Sequence, residues 1–180
     1  CYIPLRHRTT QGLDFGGDAL AQLPPDAVLA ALKPLLEDPA TLKIGHNMKF
    51  DVQQFARRGI TVTPIDDTRL ISYALESGLT AHNMSDLSER HIGHRPISFK
   101  EVAGSGRSGV SFDLVPIDRA TPYAAEDADV TLRLWHVLKG RLLAERKLTV
   151  YETLERPLVG VLADMERQGI TVDRAMLSRL

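Results

Sequence analysis

The sequence predicts an α/β protein. Short apolar segments alternate with longer segments whose apolar residues recur at helical spacing, as far as about residue 147. Asn, Asp and Gly, which commonly begin or end helices, separate these segments. The chain has 180 residues, of which 43% are hydrophobic and 25% charged, so it is long enough to bury a core. We therefore expect one α/β domain followed by a short second unit.

The first elements alternate between strand and helix. We expect a strand from Tyr2 to Arg6 and a glycine turn at Gly16-Gly17. Pro24 and Pro25 introduce a helix, and a second strand runs from Leu42 to Gly45. The apolar residues at helical spacing in that helix are Val28, Leu29, Leu32, Leu35 and Leu36.

The middle of the chain continues this alternation. Asn47 is a candidate N-cap for a helix from Met48 to Arg58, which Gly59 ends. An extended segment over residues 60–65 precedes a helix that Asp67-Thr68 opens and that runs through Leu75. These boundaries place Asn47 directly after a strand.

Helical patterns dominate the second half. Asn83 and Asp86 resemble a capping box for a helix from Met84 to Ile92, and residues 104–109 have the composition of a flexible loop. The longest helical pattern covers residues 117–145. Pro122 lies near its start, so this helix either begins at residue 122 or kinks there.

A new unit is predicted from about Thr149. Its first helix is amphipathic and ends at Gly169, residues 170–172 are strand-like, and Asp173 caps a further helix. We place the boundary between residues 1–147 and residues 148–180.

Charge and composition exclude several classes of protein. Lys and Arg (22) nearly balance Asp and Glu (23), so no block forms a basic arm of the kind that binds duplex phosphates indiscriminately. The only cysteine is Cys1, which rules out an intrachain disulfide and favours a cytosolic protein. No apolar run approaches the ~20 residues that a membrane span needs.

Two short patterns carry candidate chemistry. Asn47 and Asp51 are four residues apart at a helix start, so their side chains share one face at the end of a strand. Tyr123 and Asp127 have the same spacing within the long helix, and Ala124 and Ala125 leave room for a ligand. Taken alone, each pattern favours a structural interpretation: a helix cap with a solvated first-turn carboxylate for the first, and a solvated acidic face for the second.

Together and in this order, the two patterns resemble the second and third motifs of the DEDD exonuclease superfamily, in its tyrosine branch. Four stretches, two of which contain these patterns, resemble the exonuclease domain of bacterial family A DNA polymerases; they are residues 43–51, 67–75, 97–104 and 123–131. Residues 155–173 resemble the start of the polymerase domain that follows it. The resemblance implies a ribonuclease H-like exonuclease fold, a mixed sheet flanked by helices, followed by the first helices of a polymerase domain.

The resemblance also implies a chemistry. It implies hydrolysis of the 3′-terminal phosphodiester of DNA with two divalent cations, Mg²⁺ or Mn²⁺, in a bacterial protein of the cytoplasm and nucleoid. Asp127 and Asp51 would bind the metals, and Tyr123 would orient the attacking water. The residues implied to contact the single-stranded 3′ end are Asn47, Lys49, Phe50, Met84 and Phe99, the last by stacking on a terminal base.

One part of the family pattern is missing. The family's first motif, Asp-x-Glu, does not occur before residue 40, although it supplies two carboxylates to the metals. The chain begins at Cys1 and stops within a helical pattern, so we expect a fragment that starts after that motif. The missing strands would leave a gap beside residues 42–45, and we expect order only where a separate chain or partner segment fills it.

Two alternatives remain open from the sequence. An exoribonuclease of the RNase D kind shares the Tyr-x-x-x-Asp motif, but the segment from Glu155 onward differs from the helical domain of those enzymes. A non-catalytic structural domain is the other, and the retained Asn47, Asp51, Tyr123 and Asp127 argue against it.

We predict that the 180-residue chain alone does not excise nucleotides at a useful rate. Without Asp-x-Glu, cation binding and water activation should both be weak. The measurement is shortening of a labelled single strand in the presence of Mn²⁺. Stepwise excision at a rate near that of an intact exonuclease domain would contradict the prediction.

Overall fold

The computed structural model describes residues 2–8, 20–79, 81–106 and 109–179. Helix α1 (Pro25–Glu37) leads into strand β1 (Lys43–Gly45) and helix α2 (Met48–Ala56). Strand β2 (Ile65–Asp67) pairs in parallel with β1, with Lys43 opposite Ile65 and Gly45 opposite Asp67. Both strands therefore end at the same edge of the sheet.

Helices make up the rest of the described chain. Helices α3 (Thr68–Glu76), α4 (Met84–Ile92), α5 (Phe99–Ala103) and the long α6 (Ile117–Ala144) follow β2. A short turn, α7 (Leu148–Val150), continues through a π-helical turn (Tyr151–Glu155) into α8 (Arg156–Gln168). The last helix is α9 (Arg174–Leu177). Within these ranges no helix is long and apolar enough to cross a membrane.

The main core lies where α6 packs against α3, α4 and β1. Helix α6 contributes an apolar residue at nearly every turn, which is the spacing of one helix face. These residues meet Ile71 and Leu75 of α3 and Leu87 of α4. The fully buried residues of α6 in this core are Val130, Leu134, Leu138 and Leu142.

A buried carboxylate joins β2 to both α6 and the π-helical turn. Asp66 is only 1% exposed. It accepts hydrogen bonds from Trp135 Nε1 at 2.7 Å and the Tyr151 hydroxyl at 2.9 Å, and it pairs with Lys139 Nζ at 3.0 Å. The Tyr151 hydroxyl accepts the Asp67 N–H at 3.0 Å, and burial raises the pKa of Tyr151. The π-helical turn is therefore anchored in the α/β core.

Several predicted elements are confirmed. Helix α1, strand β1 and helix α4 lie where the pattern placed them, and Gly59 follows α2 with φ +68°. The predicted caps of α3, α4 and α9 also form: Asp67 accepts from Arg69 and Leu70, Asn83 from Asp86, and Asp173 from Met176.

Two predictions are wrong. Residues 2–6 form no strand, and directly after them the Gln22 side chain accepts the His7 N–H and donates to the His7 carbonyl. Residues 170–172 also form no strand, since they find no backbone partner in the described chain and Ile170 is 89% exposed. Helix α6 begins at Ile117, as the long helical pattern predicted, which excludes the alternative start at Pro122. The Gly16-Gly17 turn lies outside the described residues.

The segment before β2, predicted to be extended, is held mainly by α1. Only residues 65–67 pair as a strand, and the preceding residues bond to α1: Thr63 N–H donates to the Leu36 carbonyl at 3.2 Å. The Thr61 N–H donates to Glu37 at 3.0 Å. This segment thereby connects α1 to the sheet.

We predict that Tyr151→Phe destabilises the chain by about 1–3 kcal/mol. The substitution leaves the Asp67 N–H without its acceptor and removes one donor from Asp66, both in the core. Urea denaturation measures the free energy of unfolding. The matched control is Tyr73→Phe, because Tyr73 is 45% exposed and its hydroxyl has no hydrogen-bond partner within the described chain. The control should change stability by less than about 0.5 kcal/mol, and equal effects would contradict the role given to Tyr151.

Candidate functional site

Tyr123 and Asp127 lie one helical turn apart on one face of α6. Burial raises the pKa of Tyr123 to about 12, and the charge of Asp127 and hydrogen bonding with it add to this shift. Burial also raises the pKa of Asp127, although hydrogen bonding with Tyr123 opposes the shift. The phenol therefore stays protonated at neutral pH and can donate to the carboxylate. The spacing of this motif predicted the shared helix face correctly.

Aromatic rings surround Tyr123. Its ring lies 6.2 Å from that of Phe99 and 5.7 Å from that of Phe112, measured between centroids. Tyr2 packs edge-on against Phe112 at 6.3 Å. Phe99 remains 48% exposed, so part of its surface can still accept a planar ligand. We call Tyr2, Phe99, Phe112 and Tyr123 the aromatic cluster.

Glu126 holds the segment that carries Phe99. Its carboxylate accepts the His94 Nε2–H at 2.8 Å and the Ile97 N–H at 2.6 Å, and Glu126 directly precedes Asp127 on α6. Ile97 lies two residues before Phe99, the first residue of α5. The position of Phe99 relative to Tyr123 therefore depends on Glu126.

Sequence reasoning missed both α5 and the role of Glu126. Helix α5 has a complete capping box, in which Ser98 accepts from the Glu101 N–H and Glu101 accepts from the Ser98 N–H. The Ser-x-x-Glu spacing at residues 98–101 is a signal that could have located it. No local pattern indicates that Glu126 bonds a segment 29 residues away.

Asn47 does not cap α2 as predicted. It lies in the left-handed region with φ +67° and its side chain makes no capping hydrogen bond. Instead the Asp67 carboxylate reaches from β2 and accepts the N–H groups of Asn47 at 3.0 Å and Met48 at 2.8 Å. Asn tolerates the left-handed conformation better than most residues. The side-chain amide of Asn47 is not used for capping and is therefore available to a ligand.

Asp51 lies one turn into α2 and is an exposed residue. Partial desolvation of its carboxyl and the nearby charge of Asp67 raise its pKa. The neighbouring carboxylate whose charge raises the pKa of Asp127 is Glu126, not Asp51. Across the described ranges, no three His, Cys, Asp or Glu side chains lie close enough together to hold a metal ion. Asp51 and Asp127 thus do not complete a cation site by themselves.

The other predicted DNA contacts differ in accessibility. Phe50 is 61% exposed, whereas Met84 packs against the main core. Lys49 forms an ion pair with Glu166 of α8. A pocket of about 270 Å³ lies between α2, α3 and α8, and Asn47, Lys49 and Leu162 are among its lining residues.

Comparison with known proteins places the chain in a family. A model described as 3′-5′ exonuclease matches residues 2–143. DNA polymerase I of Rhizobium leguminosarum is 57% identical over 180 residues, which cover 99% of this chain and 18% of that protein. DNA polymerase I of Pseudomonas aeruginosa is 45% identical over 183 residues, covering 98% of this chain and 19% of that protein. The chain thus spans about a fifth of the length of these relatives.

Solved structures show the same fold. The POL domain of Pol1 from M. smegmatis, in complex with DNA primer-template and dNTP, superposes with a TM-score of 0.67 and 26% identity over 88% of this chain and 24% of that one. Brucella melitensis NrnC superposes with a TM-score of 0.64 and 20% identity over 82% of this chain and 66% of that one. The predicted ribonuclease H-like α/β class is confirmed.

We predict that Glu126→Ala releases the segment before α5. The Ile97 N–H loses its acceptor, so its hydrogen exchange should accelerate and the free energy of unfolding should fall by about 1–3 kcal/mol. Amide exchange followed by NMR, together with urea denaturation, measures both effects. Asp129→Ala is the matched control, because this carboxylate on the same helix is exposed and pairs only with Arg133 at 3.6 Å. Unchanged exchange at Ile97 would show that Glu126 does not hold the segment.

Proposed function

The chain belongs to the 3′-5′ exonuclease family of DNA polymerase I, and from this membership we propose that it takes part in removing nucleotides from the 3′ end of DNA. In this proposal the longer protein is a DNA-directed DNA polymerase of replication and repair, and residues 148–180 begin its polymerase domain. The observation that carries the proposal is the Tyr123–Asp127 pair beside the exposed ring of Phe99. All three residues lie within the range that the family model matches.

Each residue of this group has a proposed task. The Tyr123 hydroxyl, protonated at neutral pH because its pKa is about 12, orients the attacking water by hydrogen bonding. Phe99 stacks on the terminal base, a contact worth about 1–3 kcal/mol that tolerates any base. Stacking beside the Tyr123 hydroxyl would bring the terminal phosphodiester to the carboxylate of Asp127.

The turn after β1 supplies proposed contacts to the rest of the single strand. The left-handed backbone at Asn47 leaves its amide unused by α2, and Phe50 is exposed. Lys49 would bind a backbone phosphate. Met84 remains a proposed contact, although its packing against the core makes a role in supporting the site equally compatible with its position.

The donor chemistry fits Mg²⁺ or Mn²⁺, because both prefer carboxylate oxygens. We propose Asp127 and Asp51 as ligands, and further carboxylates from an Asp-x-Glu pair outside the described residues. Bound cations of this kind activate water and stabilise the leaving oxygen. The residues of this chain contribute the position of the water, through Tyr123, and of the terminal base, through Phe99.

The sheet leaves room for additional strands. Strand β1 pairs with β2 on one side, and no strand within the described residues pairs with its other side. We propose that strands from outside the described residues, on the same polypeptide or on a separate chain, complete the sheet there. The cytoplasmic nucleoid is the corresponding cellular site, since the proposed substrate is chromosomal DNA.

We expect Asp127→Ala in the full-length protein to abolish 3′ excision and to leave polymerisation unchanged. Tyr123→Phe should cost less, because it removes only the hydroxyl that orients water. Single-turnover excision of a 3′-labelled single strand measures both effects. Primer extension on the same preparations shows whether the polymerase activity is retained.

Asp129→Ala serves as the control, since this carboxylate lies on the same helix but 64% of its side chain is exposed. It should excise at the rate of the unchanged protein. Equal losses for Asp127→Ala and Tyr123→Phe would count against the separate tasks. Normal excision by Asp127→Ala would overturn the proposed function.

A further inference from the structure

Two donors on adjacent turns of α2 hold one carboxylate of α8. Lys49 Nζ pairs with Glu166 Oε1, and Gln53 Nε2 donates to Glu166 Oε2 at 2.5 Å. Lys49 and Gln53 are four residues apart, so they share one face of the helix. Both oxygens of the Glu166 carboxylate are therefore bound by the same helix face.

A cation and an amide donor that grip two oxygens of an anion are suited to a phosphodiester. Like a carboxylate, a phosphodiester carries one negative charge and presents two exposed oxygens that accept hydrogen bonds. We propose that Lys49 and Gln53 form a binding site for a backbone phosphate of single-stranded DNA, and that Glu166 occupies this site until the strand displaces it. This inference rests on the proposed function and adds Gln53 and Glu166 to its site.

The Glu166 carboxylate is a genuine anion at this position. Hydrogen bonds from Lys49 and, to a smaller extent, from Gln53 lower the pKa of Glu166, so the carboxylate is charged at neutral pH. It therefore competes with a phosphate through charge as well as through hydrogen bonds. After the exchange, Lys49 is again paired with one anion.

The site is open to solvent, which makes exchange feasible. The Lys49 and Glu166 side chains are 33% and 49% exposed. Exposed ion pairs contribute little net stability and weaken further with salt. A strand already held by other contacts, such as stacking on Phe99, can therefore displace Glu166 by rotation of its side chain, without separating α2 from α8.

The site lies on the helix that carries a candidate nuclease residue, but on a different face. Asp51 is two residues from both Lys49 and Gln53, and residues at that spacing do not share a helix face. A phosphate at Lys49 and Gln53 would therefore belong to a part of the strand on the α8 side of α2, away from the proposed metal ligand Asp51. Helix α8, within the unit that begins at residue 148, would control how readily the strand enters.

The test compares the affinity of the full-length protein and its variants for a 5′-fluorescein-labelled oligothymidine. Fluorescence anisotropy without added divalent cation measures binding at several salt concentrations. Glu166→Gln should bind between about twofold and fivefold more tightly than the unchanged chain, because the competing charge is gone. Gln53→Ala and Lys49→Met should bind more weakly, and Lys49→Met should reduce the salt dependence by about 0.7 of a counterion.

The matched control is Asp164→Asn. It removes the same charge from the same helix, but Asp164 is paired only with Arg167, at 3.9 Å. Its effect therefore measures the general loss of negative charge. A Lys49→Met/Glu166→Gln double variant completes a double-mutant cycle. In the absence of Lys49, the gain in affinity from Glu166→Gln should be no larger than the gain from Asp164→Asn.

The outcomes separate the two proposals. Tighter binding by Glu166→Gln than by Asp164→Asn, dependent on Lys49, supports the phosphate site. Measurable binding with equal effects of Glu166→Gln and Asp164→Asn overturns the site and leaves the proposed function intact. Absence of binding by every variant, including Glu166→Gln, overturns both.

Discussion

Two consecutive carboxylates at the end of β2 connect all the main parts of the described chain. Asp66 bonds Trp135 and Lys139 of α6 and the hydroxyl of Tyr151. Asp67 bonds the backbone at the start of both α2 and α3. Buried charges are costly unless they are paired and hydrogen-bonded, and here each carboxylate has at least three donors. The cost of burial is thereby offset, and the positions of four elements are specified.

The candidate site depends on this arrangement because its residues lie on elements that the two carboxylates connect. Helix α6 carries Tyr123 and Asp127, and the turn before α2 carries Asn47. Asp66 fixes the first of these to β2, and Asp67 fixes the second. Function in this site requires side chains from distant segments at defined separations. A change at β2 would therefore alter the site without touching any proposed catalytic residue.

The sequence predicted those features whose causes lie within a few residues. The caps at Asp67, Asn83 and Asp173 and the shared face of Tyr123 and Asp127 all follow from spacings of two to four residues. The contacts that it did not predict involve partners far away in the chain. Asn47 needs no side-chain cap because Asp67 supplies the acceptor, and Lys49 is paired with Glu166, 117 residues away. Spacing rules contain no information about such contacts, so they place a residue on a face without identifying what it meets.

The same limit explains why a motif combines residues of different roles. Within Tyr123-Ala-Ala-Glu-Asp127, Glu126 and Asp127 are chemically similar neighbours, but successive residues of a helix point about 100° apart. Glu126 consequently faces the segment before α5 and bonds its backbone, while Asp127 faces the hydroxyl of Tyr123. The first carboxylate positions Phe99, and the second is left for the proposed chemistry. Their adjacency couples the proposed stacking surface of Phe99 to the proposed hydrolytic group of Asp127, since both are fixed by one turn of α6.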